Sequence, residues 1–479
     1  REIVRRGYIK GIVGLPANLF YGTGIAACIV VLDKEGSADR RGVFLLDASR
    51  GFAKDGAKNR LRAQDIHKIV DTFTRQAEIP GYSRMVPLAT IEGNDFNLNL
   101  SRYIDSLDAV DVQDIDAHLR GGIPQRDIEV LDRYWTVMPT LRENLIGDGP
   151  RPGYCSIRVA PDSVKDTIVE HPEFDLLAKT VVSLMDDWSS EVRPRLTGLS
   201  PDDVPKDLGE ELSESILRRF ARAQLLDPYD VYQRFMEYWA SVMQDDVYLV
   251  VETGWKAAAA PRLMVDTRDQ KSKEVPDYTV GKQRFKSDLI PASLLVALNF
   301  QTDRDALELL REAVSLAEIR LDDMAQEHAT EGGILEGALD EKSNLTKRSV
   351  ESRLRQVRRE PDAADERAAL EQYRDLLDKV AATKRRLKAT SADLNEKVAR
   401  AYAQLTDEDI AFIVVSEKWL ASLAGDVYLE LDRVSQMLAS RLVELTERYA
   451  VTLPELAKAS DELAGLVRRH LERMGATWQ

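Results

Sequence analysis

The sequence predicts an α/β fold at the N-terminus joined to a mostly α remainder. Three observations carry that reading. Short β-branched runs bounded by Gly and Pro fill the first 50 residues, as buried strands do. From 106 onward apolar residues recur at helical spacing. From Asp303 the recurrence settles into alternating steps of three and four, the pattern of a coiled-coil hairpin. The corresponding divisions are 1–105, an α/β sheet; 106–300, mostly helical; 301–405, coiled-coil helices; and 406–479, C-terminal helices.

The first apolar run, Ile9–Val13, is expected to be a strand, and so are Ala26–Leu32 and Val43–Asp47. The latter two are joined by the polar segment Asp33–Gly42 and read as a hairpin-like, antiparallel pair. Between the first two strands lies the loop Leu15-Pro16-Ala17-Asn18-Leu19-Phe20-Tyr21-Gly22-Thr23-Gly24-Ile25. Gly22 and Gly24 permit unusual dihedrals and close approach of the backbone. Asn18 supplies donors and an acceptor, and Phe20 and Tyr21 supply flat apolar faces. Such a loop suits a planar, polar-edged ligand such as a nucleobase. From spacing alone it better suits a plain strand turn with its aromatics packed inward.

Residues 50–62 carry Arg50, Lys54, Lys58, Arg60 and Arg62 against one acid, Asp55. A basic, glycine-containing loop suits phosphate contact, or a solvated surface. Gln64–Phe73 reads as a helix with Ile66, Ile69, Val70 and Phe73 on one face. The asparagines of Asn94–Asn99 suit base edges or, better, caps and turns.

Farther along, Asp127–Tyr134, Val164–Val169, Phe174–Asp187 and Glu210–Arg222 have helical periodicity, and Pro228 interrupts. Tyr229, Tyr232, Phe235, Met236 and Trp239 form an aromatic stripe that reads as core. Asp246–Glu252 reads as a strand ending at Gly254-Trp255, and Asp266–Lys273 as a loop. One heptad seam runs Leu307, Leu310, Val314, Ala317, Leu321, Met324. After a break at Gly332-Gly333 a second runs Leu370, Tyr373, Leu377, Val380, Lys384, Leu387, Ser391, Leu394, Val398, Ala401. Two seams split by a break suggest an antiparallel hairpin within one chain, with oligomerisation as the alternative. Between them Lys347, Arg348, Arg353, Arg355, Arg358 and Arg359 suit a solvated helix face better than a phosphate grip. Thr406 before Asp407, Glu408 and Asp409 reads as a helix N-cap.

At 479 residues the chain can bury more than one core. It opens on Arg1 inside an apparent helix, so the expectation is the C-terminal part of a longer protein. No run of 18 apolar residues and no signal-peptide pattern occurs, and Cys28 and Cys155 are the only cysteines. A cytoplasmic protein without a membrane span or disulfide framework is expected. The net charge of −15 is uneven: residues 1–105 hold 16 basic against 12 acidic residues, the remainder 50 against 69. An acidic body repels phosphate, so DNA contact must come from local basic patches or a partner. Five scattered histidines give no metal-ligand spacing, and neither a Walker loop nor a Gly-x-Ser-x-Gly elbow appears.

The segment Ile12–Leu32 followed by Val43-Phe44-Leu45-Leu46-Asp47-Ala48-Ser49 resembles the modification subunit of type I restriction-modification systems, an adenine-N6 DNA methyltransferase family. The resemblance continues through Asn59-Arg60-Leu61-Arg62, Asp65-Ile66, Asp95–Leu100 and Arg102-Tyr103. Asp111–Ile115, Gln244–Tyr248 and Asp288–Pro291 look like a larger branch of the family. The family's cofactor-binding Gly-rich loop and its Asn-Pro-Pro-Phe tetrapeptide are absent.

The resemblance implies that residues 1–105 are the C-terminal part of a Rossmann-like methyltransferase sheet. It implies methyl transfer from S-adenosylmethionine, held by a loop outside this chain, to a flipped-out adenine. Asn18, Phe20, Tyr21, Gly22, Thr23 and Gly24 would then line the substrate pocket, and Lys54, Lys58, Arg60 and Arg62 would contact DNA. No catalytic residue and no metal ligand is assigned. The implied partners are DNA, a specificity subunit clasped by C-terminal helices, and a restriction subunit. The alternative is a non-enzymatic helical assembly protein.

Overall fold

The computed structural model describes residues 1–105, 113–265, 274–329, 333–340, 343–358, 360 and 363–475. The expected loop Asp266–Lys273, the pair Asp111-Val112, Gly332 and Arg359 lie outside the described residues. The chain has mixed sheets and many helices, arranged as two compact units. The first gathers Arg1–Pro194, Val204–Asp245 and Leu420–Gln479; the second, Arg195–Asp203 and Asp246–Trp419.

The first unit opens with a four-stranded sheet. Strand β1 (Ile9–Gly14) pairs antiparallel with β2 (Cys28–Leu32), Val13 opposite Ile29, and parallel with β3 (Gly42–Asp47), Ile12 opposite Leu45. Ala53–Asp55 (β4) and Lys58–Arg60 (β5) form a separate hairpin, and helix α1 (Ala63–Arg75) follows. Strand β6 (Ser83–Pro87) closes the far side, giving the order β2-β1-β3-β6, and leads into the short helix α2 (Leu88–Gly93).

Alternation along β3 explains its central place. Val43 and Leu45 face a cluster with Ile9, Ile12, Val86 and Ile91, while Phe44 and Leu46 face Val13, Leu15 and Ala48. A strand apolar on both faces gains most between two covered layers. Burying each such side chain contributes roughly 1.5–3 kcal/mol. Phe73 of α1 covers the second face, its ring edge-on to Phe44 at 5.8 Å.

Three expectations for this region are corrected. Ala26–Leu32 and Val43–Asp47 run antiparallel but are not a hairpin, because β1 lies between them. Arg40 ties the connecting segment, donating to the carbonyl oxygens of Asp33 (2.7 Å) and Gly7. Strand β2 is an edge rather than a buried strand: Ile29, Val30 and Leu32 are exposed, and so is Cys28. On α1, Ile69 and Phe73 pack inward, but Ile66 and Val70 are exposed, because the helix rolls to present Gln64, Lys68 and Asp71 to helix α3 (Pro228–Tyr238). Gln64 bonds Gln233 and Asp230, Lys68 pairs with Asp227, and the Tyr229 hydroxyl donates to Asp71 at 2.7 Å.

The asparagine tract turns the chain: Asp95 and Phe96 take left-handed backbone, and the Tyr103 hydroxyl donates to the Asn97 carbonyl at 2.6 Å. The segment expected as one helix over Asp127–Tyr134 is two short ones, Gln125–Glu129 and Asp132–Trp135. Pro228 starts a helix rather than interrupting one, with the Asp227 carboxylate capping the Tyr229 N–H. The aromatic stripe is core: Tyr232, Phe235 and Trp239 are buried, and Trp188 meets Phe235 edge-on. The C-terminal helix Leu453–Arg473 has no buried residue, and Leu456, Leu463, Leu466 and Val467 lie exposed along it.

In the second unit the long helices Gln301–His328 and Ala364–Gln404 lie antiparallel, with Asp303 pairing Lys397 at 2.9 Å and Glu318 pairing Lys384 at 2.5 Å. Seam residues Leu307, Val314, Ala317, Leu321, Leu370, Tyr373, Val380, Leu394 and Val398 are buried. The basic helix Lys347–Val357 packs beside them, Arg353 held by Glu366 and Lys347 by Asp378. Asp246–Glu252, expected as a strand, is helical within Gln244–Thr253. Val247 and Val250 are buried at helical spacing, and the Asp246 carboxylate is engaged by Lys418 and Trp419, so packing overrides β-propensity. Thr406 caps its helix as expected, accepting from the Asp409 N–H.

Candidate functional site

The loop between β1 and β2 is closed at its neck by the Leu15 N–H donating to the Ala27 carbonyl at 2.9 Å. Leu15 and Leu19 point down into the second-face cluster, and this anchors the loop at its base. Asn18 then takes a left-handed backbone, φ 56°, and Gly22 another, φ 78°. Asparagine tolerates that region and glycine adopts it freely, so both positions suit a chain that must reverse sharply. At Gly24 a Cβ would approach the Asn18 side-chain oxygen to 3.1 Å. The Thr23 hydroxyl accepts from the Ile25 N–H at 3.1 Å, a local turn.

The aromatics do not pack inward. Tyr21 is 91% exposed, Phe20 56% and Ile25 78%. A loop that places two rings and an isoleucine in water, on a tethered base, presents a platform for a flat apolar partner. It adjoins the uncovered edge of β2, where Ile29 is 50% and Leu32 62% exposed.

Hairpin β4–β5 buttresses this loop. The Asn59 N–H donates to the Asn18 carbonyl at 3.0 Å, and its side-chain amide donates to the Ala17 carbonyl at 2.8 Å. These two bonds fix the reversal at Asn18. Asn59 carries no charge, so nothing in the charge pattern singles it out; its place between Lys58 and Arg60 is the only signal. The Lys58 ammonium lies against the face of the Tyr21 ring.

The four basic residues part company here. Lys58 joins the loop. Lys54 is exposed on β4, and Arg60 is an exposed neighbour of Asp55 at 4.0 Å. Arg62 is held by Asp65, with Nε and Nη2 each 2.9 Å from a carboxylate oxygen and its N–H completing the cap of α1. That guanidinium is committed to the fold, and the pairing raises its pKa further. The Tyr82 hydroxyl, on the same face of the sheet, is pushed well above its ordinary value by burial, with Asp65 and Asp47 adding to the effect.

Among the described residues no group of His, Cys, Asp or Glu is arranged to hold a metal ion. Polar groups around the loop are largely used by the loop itself: Thr23 by Ile25, Asn59 by Ala17 and Asn18. In the second unit a cavity of about 750 Å³ is lined by Trp255, Lys256, Tyr278, Phe285, Tyr402 and Asp407. No helix of the described residues is long and apolar enough to cross a membrane.

The family model described as N-6 DNA methylase matches residues 1–111. Among similar curated proteins are methylase subunits of type I restriction enzymes. That of MjaVII from Methanocaldococcus jannaschii is 34% identical over 138 residues, 28% of this chain and 24% of that protein. That of MpnII from Mycoplasma pneumoniae is 31% identical over 107 residues, 22% and 19% of the two chains. That of HindI from Haemophilus influenzae is 32% identical over 119 residues, 23% and 26%. The matches thus span about a quarter or less of those relatives' lengths. A solved structure, the methyltransferase subunit of a type I restriction-modification system from Streptococcus thermophilus, is 31% identical over 22% of each chain, with a TM-score of 0.20.

Proposed function

We propose, from the match of residues 1–111 to the N-6 DNA methylase family model, that this chain is part of a type I modification subunit. That subunit transfers a methyl group from S-adenosylmethionine to adenine N6 in DNA, in the cytoplasm and together with a specificity subunit. The observation that carries the reading is the loop Asn18–Gly24, tethered below and bearing exposed rings. A base taken out of the stack needs a flat apolar face and a close backbone, and Tyr21, Phe20, Gly22 and Gly24 offer both. Asn18 and Thr23 shape the turn.

The sheet then reads as the end of a larger, Rossmann-like one. Exposed Ile29, Val30 and Leu32 on an open edge invite another strand, and an uncovered apolar edge is a liability that complete proteins cover. The methyl donor does not fit the residues of this chain. Both family motifs are missing, and the Thr23 and Asn59 groups nearest the loop already serve its backbone. What this chain contributes to the pocket is its stacking wall.

Lys54 and Arg60 remain open to phosphate, whereas Arg62 is occupied by Asp65. For the specificity subunit, the C-terminal helix offers an uncovered apolar stripe at Leu456, Leu463 and Val467, and the long helix pair of the second unit reads as a coiled-coil hairpin. A restriction subunit would complete such an assembly. The test is to purify the full-length protein with its specificity subunit, incubate it with cognate DNA and the methyl donor, and measure N6-methyladenine by mass spectrometry. Methylated adenine is the expected product. A correctly assembled complex that makes none would leave the helical scaffold reading in its place.

A further inference from the structure

The cavity of about 750 Å³ lies wholly within the second unit, apart from the loop between β1 and β2. Local patterns build its walls. The strands Tyr278–Val280 and Gln283–Lys286 pair antiparallel with Tyr278 opposite Phe285, so both rings stand on one face of the sheet. They stack 5.2 Å apart and 10° from parallel, and Tyr402 also stacks on Tyr278 at 5.8 Å. Tyr402 belongs to the helix Ala364–Gln404, where Ala399 and Ala403 share its face and leave open the space that larger side chains would fill. Trp255 enters the lining directly after the left-handed Gly254.

Two polar groups of this lining are unanswered. Trp255 is 8% exposed and Tyr278 6%. Yet among the described residues neither the indole N–H nor the Tyr278 hydroxyl has a hydrogen-bond partner. The Tyr402 hydroxyl, by contrast, donates to the Ile290 carbonyl. Buried polar groups are ordinarily paired, so two unpaired donors against one cavity point to a ligand that supplies acceptors. Burial raises the pKa of Tyr278, which keeps its proton in place to donate. The charged residues of the lining are Lys256 and Asp407, one of each sign, so a charged ligand finds no net attraction.

We propose that this cavity binds a neutral, planar heterocycle with carbonyl oxygens on its edge. The ring lies against the aromatic wall, and the oxygens accept from Trp255 and Tyr278. Volume and lining are those of a small-molecule site: mostly apolar and aromatic, with a few placed donors. The site is independent of methyl transfer, and its failure would leave the reading of the Asn18–Gly24 loop untouched.

Lumiflavin and caffeine, both neutral, planar and carrying carbonyls, serve as probes on this chain. Lumiflavin fluorescence should be quenched saturably, with a Kd between about 1 μM and 1 mM, and caffeine should displace it. With tryptophan labelled by nitrogen-15, the Trp255 indole signal, identified by its loss in Trp255→Phe, should move downfield as it gains an acceptor. Trp255→Phe and Tyr278→Phe should each weaken binding about tenfold, the scale of one lost hydrogen bond in a desolvated site. Ala403→Leu, at a position open to solvent, should block the space and leave Tm unchanged. Flavin mononucleotide, the same ring with a charged phosphate, should bind no more tightly. The proposal falls if neither probe gives a saturable response, or if binding survives Ala403→Leu. It falls too if flavin mononucleotide binds more tightly, because the site would then recognise an anion. Binding lost in Tyr21→Ala would place the probe on the exposed ring of the first unit and would overturn it as well.

Discussion

Removing the Asp246 carboxylate should destabilise the second unit severely. Asp246 is 6% exposed and sits in the helix Gln244–Thr253. Its Oδ2 is 2.7 Å from the Lys418 ammonium and accepts from the Trp419 indole at 2.8 Å. Trp419 is fully buried, and the Lys418 ammonium also donates to the Leu289 carbonyl at 2.7 Å. Asp246→Ala takes the carboxylate away from a mostly buried ammonium and from an indole that cannot reach water. Losing one partner of a buried pair costs about 3–5 kcal/mol. The indole N–H left without its acceptor falls within that figure, since its own penalty is about 1–3 kcal/mol. For a unit of this size each 1 kcal/mol lowers Tm by about 2–4 °C, so a drop of roughly 6–20 °C is expected. Thermal melting followed by tryptophan fluorescence reads it directly. The double variant Asp246→Leu with Lys418→Met removes both charges and should recover most of the loss. A fall below about 1 kcal/mol for Asp246→Ala would refute the argument. So would a double variant no better than the single, because the cost would then lie in shape rather than in charge.

Tyr21→Ala in the assembled full-length protein should slow methylation about tenfold or more, since a stacked base is worth about 1–3 kcal/mol, while Tm stays nearly unchanged because the ring is exposed. A collapse in Tm with a normal rate would make Tyr21 a core residue. Titration of this chain alone with S-adenosylmethionine by calorimetry should give no saturable heat, and a micromolar dissociation constant would reveal a binding loop within it. Glu substitutions at Leu456, Leu463 and Val467 together should leave melting intact, because all three are exposed, and abolish co-elution with the specificity subunit; retained co-elution places that interface elsewhere. Asp203 accepts from the Ser200 N–H at 2.7 Å and pairs with Arg195 at 2.6 Å, and its pKa is lowered chiefly by the Ser200 bond. A carboxyl with a lowered folded pKa stabilises above its unfolded value and loses that contribution as pH falls through the folded one. Asp203→Asn should therefore flatten the loss of stability on acidification below about pH 4, as read by urea unfolding at stepped pH; an unchanged profile would refute it.

Elements with a strong, local apolar pattern are legible in the amino-acid order alone. The short continuous apolar run Val43–Leu46, bounded by Gly42 and Asp47, named a buried strand, and the three-four steps through Leu307–Leu321 and Leu370–Val398 named helices because each repeats one face many times. The cap at Thr406 was equally legible, since its chemistry lies within four residues. What tertiary structure decided is everything set by non-local pairing. Strand order is one case: β1 rather than β3 adjoins β2, a choice made between edges distant in sequence. The helix at Asp246 is another, because the partners that hold it, Lys418 and Trp419, lie far along the chain. At the candidate site, composition marked the loop, but the direction of its rings depended on which side chains had a core to enter. Leu15 and Leu19 had one beneath them; Phe20 and Tyr21 did not. The basic cluster divided for the same reason. Arg62 found Asp65 three residues away, whereas Lys58 met a ring brought to it only by the two bonds of Asn59.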